Sequence, residues 1–181
     1  MNRRQFVSAT ATLGTGSIML GTASGKQLNP GDGIWQFKTG DYVASSPTVI
    51  GKTVYIGSND GNLYALDAET GDRRWTFETD MWIRSSPEVV DGTVFVGNDD
   101  GILYAINAET GQKIWQRDIG INRLSSPTVF DGIVYATGNG LYALDVSSGS
   151  EVWHSDRGHS QYSPLVADGT IFVTEVNSSS V

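Results

Sequence analysis

The chain repeats one pattern of apolar and polar positions with a period close to forty residues. In the first unit the apolar runs are 46–50, 53–57, 63–67 and 74–77. Turn residues separate them, such as Asn59-Asp60-Gly61, whose members accept positive φ at little cost. No helical periodicity accompanies these runs, so each unit predicts a four-stranded antiparallel sheet.

Two kinds of residue keep the repeats in register. Tryptophans stand at positions 35, 75, 115 and 153, in steps of 40, 40 and 38 residues. The prolines of the Ser-Pro pairs stand at 47, 87, 127 and 164, in steps of 40, 40 and 37. A sustained period of this length indicates an array of identical supersecondary units.

The central strands of each unit are apolar at consecutive positions. Examples are Val54-Tyr55-Ile56 and Leu63-Tyr64-Ala65-Leu66. A sheet with one wet face would alternate, whereas a sheet enclosed between two neighbours need not. Sheets stacked face to face around an axis are the blades of a β-propeller, and one tryptophan per unit is expected to pack between them.

The segments SSPTV and VYIGSNDGNLYALDAETG, followed by a tryptophan in the last strand, resemble the PQQ-like β-propeller repeat. This family includes quinoprotein dehydrogenases and proteins like outer-membrane assembly factor B. The resemblance implies an all-β, incomplete propeller of four-stranded antiparallel blades, with three full blades and a partial fourth. The expected blades are residues 44–79, 84–118, 124–155 and, for the partial blade, 161–181.

The two ends of the repeat region carry further expectations. Residues 26–33 are expected to be a polar linker, and Ile34 to Thr39 matches the last strand of a blade. A lone fourth strand of this kind is expected to complete a blade formed from the other end of a closed ring. Because Val181 falls directly before an expected strand, the chain is predicted to be a fragment or truncated copy of a longer product.

Charge and composition narrow the classes of partner. The formal charge is −8, from 12 basic and 20 acidic residues, which argues against nucleic acid and anionic membranes. The acidic balance suits a halophilic protein or an ordinary acidic soluble one, and both interpretations stay open. The absence of cysteine excludes disulfides and thiolate metal sites.

The first residues resemble a twin-arginine export signal. Arg3-Arg4 and Phe6 are in place, followed by a mildly apolar run rich in Thr, Gly and Ala up to Gly25. We therefore expect residues 1–25 to be a signal segment for export to the cell envelope or beyond it. An uncleaved N-terminal anchor is the alternative.

The loops that differ between repeats are the candidate binding face. Antiparallel strand order places the loops after the second and fourth strands of each blade on one side. The candidate residues are Tyr42, Trp82, Arg84, Asn122, Arg123, His159 and Gln161. Arg84 aligns with Ala44 and Leu124, so the blade itself does not require it. Asp60, Asp99 and Asp100 are interpreted as turn residues, and Trp35, Trp75, Trp115 and Trp153 as structural residues.

These features predict a non-catalytic, exported binding or scaffold module at the cell envelope. The alternative is the N-terminal part of a PQQ-dependent alcohol or sugar dehydrogenase, which would bring PQQ and calcium as cofactors. No catalytic or metal-binding residue is assigned, and no cofactor is predicted for the leading hypothesis. The expected partner is a protein or a saccharide, and self-association through open blade edges is also expected.

Overall fold

Short runs of β-branched and aromatic residues, punctuated by Gly and Asp turns, give this chain its strands. The computed structural model describes residues 6–12, 15–21, 35–120, 123–157 and 162–174. Across these residues every helix or strand element is a strand. The prediction of an all-β, incomplete propeller is confirmed, because the strands form four-stranded antiparallel sheets of one topology.

Three complete blades follow one another along the chain. Their strands are β4 (Thr48–Ile50), β5 (Thr53–Gly57), β6 (Asn62–Asp67), β7 (Arg73–Glu78), β8 (Glu88–Val90), β9 (Thr93–Gly97), β10 (Ile102–Asn107), β11 (Lys113–Asp118), β12 (Thr128–Phe130), β13 (Ile133–Gly138), β14 (Gly140–Asp145) and β15 (Glu151–Ser155). Each blade pairs its strands in chain order. A further two-stranded sheet contains β16 (Leu165–Ala167) and β17 (Thr170–Phe172).

Asp-Gly pairs close the hairpins between the first two strands of the later blades. Asp91 and Gly92 have φ values of 47° and 75°. Positive φ at both central residues is the conformation of a type I′ turn, whose twist matches the flanking strands. These turns thereby help to hold the innermost strand in register with the second.

The middle strands form the core because both of their faces are covered. All of β5 is buried, as are the four central residues of β6 and of β10. Burial on both sides explains why these strands are apolar at consecutive positions. The outer strand β7 instead alternates between half-buried and exposed positions at its end.

Serines of the Ser-Pro pairs bind the blades to one another near the axis. The backbone NH of Ser46 donates to Ser86 Oγ at 2.9 Å, and that of Ser86 donates to Ser126 Oγ at 2.8 Å. Within a blade, buried Ser45 Oγ donates to the carbonyl of Gly57 at 2.9 Å. The Ser-Pro repeat therefore links consecutive innermost strands.

The predicted lone strand near Trp35 is wrong, because that strand has a partner. Strand β3 (Trp35–Lys38) pairs antiparallel with β2 (Thr15–Gly21), which pairs in turn with β1 (Phe6–Thr12). A single strand would leave a row of unpaired backbone groups, and the preceding hairpin supplies the missing hydrogen bonds. The signal segment predicted for residues 1–25 overlaps this hairpin and remains a prediction.

Candidate binding face

The loops between blades and the turns after second strands meet on one side of the sheets. The backbone NH of Asn59 donates to the carbonyl of Tyr42 at 2.8 Å, and that of Asp99 to the carbonyl of Trp82 at 2.9 Å. We name this side the varied loop face, and define it as residues 39–47, 58–61, 79–87, 98–101, 119–120 and 123–127. Its backbone is held alike in successive blades while its side chains differ.

Tyr42, Met81 and Trp82 supply exposed apolar surface on this face. Trp82 is 41% exposed, and Tyr42 and Met81 are each 37% exposed. Trp82 and Tyr42 occupy the same position in successive loops, directly before a buried aliphatic residue. Large aromatic side chains in such positions are common at protein-binding surfaces.

Arg84 connects the exposed tryptophan to a buried carboxylate. Its guanidinium carbon lies 4.2 Å from the centroid of the Trp82 ring, a cation–π geometry. Its Nη1 lies 3.0 Å from Asp99 Oδ2, with side-chain exposures of 26% for Arg84 and 11% for Asp99. The arginine is thereby held between an aromatic ring and a carboxylate in the turn after β9 of its own blade.

Asp99 is enclosed by groups of both charges. Burial raises the pKa of the Asp99 carboxyl above its usual value, and the positive charges of Arg84 and Arg123 lower it. Asp100 raises the same pKa by repulsion, and the net direction is upward. Desolvation therefore exceeds the stabilisation that two arginines give to the ionised form.

The interpretation of the acidic turn residues is correct for Asp60 and incomplete for Asp99. Asp60 accepts backbone hydrogen bonds from Gly40 at 2.6 Å and from Asn62 at 3.0 Å. The side chain of Asp99 instead faces Arg84. The signal available in the sequence was the alignment of Asp99 with the neutral Asn59, one position before the turn aspartates Asp60 and Asp100 of the first two complete blades.

Leu124 and Arg123 differ in position from what the alignment of repeats indicated. Leu124 is buried, and its Cβ lies 2.6 Å from the position that a Cβ on Gly97 would occupy. Ile83 packs against Gly57 in the same way in the preceding blade. The alignment paired Leu124 with Arg84. In the structure, Leu124 fills the buried position that Ile83 fills in the preceding loop. Arg123 therefore lies on the varied loop face, near Asp99.

Three predicted site residues lie outside the described residues, namely Asn122, His159 and Gln161. Among the described residues, no group of three or more His, Asp or Glu side chains is arranged to hold a metal ion. The described part of the chain also contains no helix of the length and apolar character needed to cross a bilayer.

The tryptophans interpreted as structural lie away from the varied loop face. Three indole NH groups donate to carbonyls of the following blade: Trp35 to Ala68 at 3.2 Å, Trp75 to Ala108 at 3.0 Å and Trp115 to Val146 at 2.9 Å. Trp153 is 39% exposed, and its ring lies tilted against Tyr135. Its environment therefore differs from that of the other three.

A shallow groove of about 370 Å³ lies on the opposite side, between the first two complete blades. It is lined by Thr53, Tyr55, Arg74, Asp91 and Asn107, among others. Tyr55 donates its hydroxyl to the carbonyl of Ala108 at 3.0 Å. This groove was not predicted from the sequence, because its lining combines strand residues of one blade with strand-end and turn residues of the next.

The fold and the repeated interblade contacts define a PQQ-like β-propeller protein. A family model described as outer membrane protein assembly factor BamB matches residues 21–127 and 99–181. The chain belongs to this family. A search of curated proteins by sequence gave no significant match.

Solved structures of three kinds resemble this chain. BamB from Moraxella catarrhalis has a TM-score of 0.74 and 19% identity, with 93% of this chain and 57% of that chain covered. The computationally designed Ika8 protein has a TM-score of 0.72 and 14% identity, with 93% and 57% covered. Both likenesses concern the fold alone.

The quinohemoprotein alcohol dehydrogenase from Comamonas testosteroni has a TM-score of 0.56 and 25% identity, with 64% of this chain and 21% of that chain covered. The chain thus spans 57% of the BamB structure and about a fifth of the dehydrogenase. The same repeat occurs in proteins of different function, so function has to be argued from the face itself.

Proposed function

We propose that this protein is a non-catalytic binding or scaffold module of the cell envelope. The observation that carries the proposal is the contrast between uniform blades and a varied loop face. Equivalent backbone hydrogen bonds hold Tyr42 and Trp82, yet their side chains and neighbours differ. Residues that the fold does not require are available for recognising a partner, and the BamB family description supports a role in assembly.

Site-specific photocrosslinking tests this binding role. A photoreactive amino acid placed at Tyr42 or Met81 should give discrete crosslinked products in cells. The same amino acid at Glu109, exposed on the opposite side, is the matched control. Products of equal yield from both sides, or from neither, would contradict the varied loop face as the binding face.

Export through the twin-arginine route is the second part of the proposal. Arg3-Arg4 supports it, since this route carries folded proteins and recognises an arginine pair. In a host with that route, the full chain should reach the envelope or medium, and Arg3→Lys with Arg4→Lys should keep it in the cytoplasm. Normal export of the double variant would contradict this route.

A quinoprotein dehydrogenase is the second candidate function. The likeness to the Comamonas testosteroni enzyme favours it, with 25% identity over 64% of this chain. Dye-linked oxidation of alcohols or sugars, with added PQQ and calcium, distinguishes the two. We expect no turnover above that of the cofactor alone, and cofactor-dependent turnover would replace the first proposal with the second.

Self-association through an open blade edge also belongs to the proposal. Leu165 and Phe172 of the two-stranded sheet are 62% and 54% exposed. Within the described residues, β17 has no strand paired along its other edge. Such edges and apolar surfaces favour contact between copies. Light scattering should therefore show species larger than one chain, and a monodisperse monomer would contradict this expectation.

A further inference from the structure

Two guanidinium groups lie near one carboxylate on the varied loop face. Arg84 forms an ion pair with Asp99 at 3.0 Å, whereas Arg123 lies near the same carboxyl without an ion pair to it. Arg123 makes no ion pair or hydrogen bond with any described residue, and its Nε is buried without a partner. A guanidinium has five donors in a rigid fork, so this pair has unused capacity for a further anion.

Two further unpaired polar atoms belong to the turn next to Arg123. Besides Arg123 Nε, the buried side-chain atoms without a partner in the described residues are Asn98 Nδ2 and Asp99 Oδ1 in this turn, and Asn59 Oδ1 in the turn of the preceding blade. Asn98 and Asp99 lie directly beneath the loop that carries Arg123, because the NH of Leu124 donates to the carbonyl of Asn98 at 3.4 Å. Native interiors rarely leave such groups unpaired, and a concentration of them indicates a site of interaction.

The blade fold does not demand this arrangement. The position of Asp99 is Asn59 in the preceding repeat, and the position of Arg84 is Ala44. Those neutral residues maintain the same backbone contacts, since Asn59 and Asp99 make equivalent NH bonds of 2.8 and 2.9 Å. The two arginines and the aspartate are therefore additions to the scaffold.

Apolar surface adjoins the arginine pair. Trp82 stacks on Arg84 and is 41% exposed, and Met81 beside it is 37% exposed. A rigid aromatic ring next to a preorganised arginine has the composition of interface hot spots. A ligand that uses both parts must present a carboxylate next to a bulky apolar group.

We propose that Arg84, Arg123 and Trp82 form a recognition site for an extended peptide segment of a protein partner, with an acidic side chain beside an aromatic or aliphatic one. This inference rests on the proposed binding function and names the chemistry of its partner. The varied loop face also carries Asp41, Asp60, Asp80 and Asp100. Distant attraction is therefore weak, and recognition depends on direct, forked contacts between guanidinium and carboxylate.

Binding of defined peptides to the full chain tests this site. The probe is an end-blocked, fluorescently labelled hexapeptide of alternating glutamate and phenylalanine, and its twin has glutamine at each glutamate. Fluorescence anisotropy should give the glutamate peptide a Kd about tenfold or more below that of its twin, as expected for charged hydrogen bonds. Replacing Arg84→Gln and Arg123→Gln together should remove that difference and leave the glutamine peptide unaffected.

A matched variant controls for net charge and folding. Arg73→Gln with Lys113→Gln removes the same charge from exposed outer strands, and should keep the preference for the glutamate peptide. A second arginine variant, Arg84→Lys with Arg123→Lys, retains charge without the fork and should lose most of the preference. Circular dichroism melts verify that each variant is folded.

These outcomes distinguish the peptide-recognition site from the broader proposal that the protein is a binding module. Equal binding of both peptides, no binding of either, or equal loss in the control variant would overturn carboxylate recognition. Crosslinks from Tyr42 and Met81 would still support a binding module in each of those cases. A preference that depends on both arginines supports the recognition site.

Discussion

The first and second complete interblade junctions share a backbone arrangement and differ in their side chains. In the first, the NH of Ile83 donates to the carbonyl of Ser58 at 3.0 Å; in the second, Leu124 donates to Asn98 at 3.4 Å. The first junction has neutral Asn59 on the varied loop face, whereas the second has Asp99, which forms an ion pair with Arg84 and lies near Arg123. The backbone contacts between blades are thus repeated, whereas the side chains of the varied loop face differ from one junction to the next.

The difference also concerns how the loop reaches its buried contact. Ile83 and Leu124 both fill the space above a glycine, but Ile83 stands two positions before its buried serine and Leu124 stands next to its own. This shift by one residue keeps an aliphatic side chain in the core. The sequence alignment pairs Arg123 with the buried Ile83, but the shift places Arg123 on the varied loop face instead.

Truncation at the shifted position should have the largest effect. Leu124→Ala should destabilise the protein by about 2–5 kcal/mol, as should Ile83→Ala, because each opens a cavity in the core. Arg123→Ala should cost less than about 1 kcal/mol. Urea unfolding measures all three, and a cost for Arg123→Ala equal to that of Ile83→Ala would contradict the shift.

The second largest difference in stability between the two junctions is expected from replacing their tryptophans. The carbonyl of Ala108 accepts hydrogen bonds from the Trp75 indole and the Tyr55 hydroxyl, whereas among the described side chains only Trp115 donates to the carbonyl of Val146. Phe95 replaces the tyrosine in the second junction. Trp115→Phe should therefore cost about 1 kcal/mol more than Trp75→Phe, since it leaves a carbonyl without its donor.

Thermal unfolding at pH 7 compares the two tryptophan variants. The variant Tyr55→Phe with Trp75→Phe is the matched control, because it removes both donors from Ala108 and should remove most of the difference. Equal costs for Trp75→Phe and Trp115→Phe would show that the tyrosine bond does not compensate.

Asp99→Asn gives the second junction the neutral side chain that the first junction has at Asn59. Its effect on the free energy of unfolding should be smaller than those above. The pKa of Asp99 is raised in the folded state, so its protonation stabilises the fold. This contribution to stability is complete below the pKa of Asp99 in the unfolded chain. It is lost as the pH rises through the higher pKa of Asp99 in the folded protein. Wild type should therefore gain stability relative to Asp99→Asn as pH falls from 7 to 4, measured by thermal unfolding. A gain with rising pH would show that Arg84 outweighs burial.

The smallest effect concerns the turns on the opposite side. Hydrogen bonds from Arg74, Glu69 and Thr70 lower the pKa of Asp67 to about 2, and those from Ser147 and Ser148 lower that of Asp145 to about 2. Their contribution is present above the usual carboxyl pKa and is lost as pH falls toward 2. Asn107 makes the equivalent turn bonds without titrating.

A variant with Asp67→Asn and Asp145→Asn should therefore remain folded and lose less stability between pH 4 and pH 2. Melting temperatures across this range measure the change against wild type. An unchanged acid response would mean that other carboxyl groups determine it.

The sequence by itself determined the period, the strand order and the all-β, incomplete propeller. These features depend on local information: turn residues such as Asp91-Gly92 adopt positive φ, and consecutive apolar residues in β5 require cover on both faces. The same periodicity located the tryptophans and identified which loops could vary. It also predicted the side on which Tyr42 and Trp82 would be found.

Only the tertiary structure decided the partner of β3, the one-residue shift at Leu124 and the pairing of Asp99 with Arg84. Each of these contacts joins residues from different strands or blades, about fifteen or more positions apart. A loop can slide by one residue at little cost in local conformation, so the local pattern does not choose between registers. Packing of Leu124 against Gly97 and pairing of Asp99 with Arg84 make that choice, because a misplaced aliphatic side chain or an unpaired charge in the interior would cost more than the change in loop conformation.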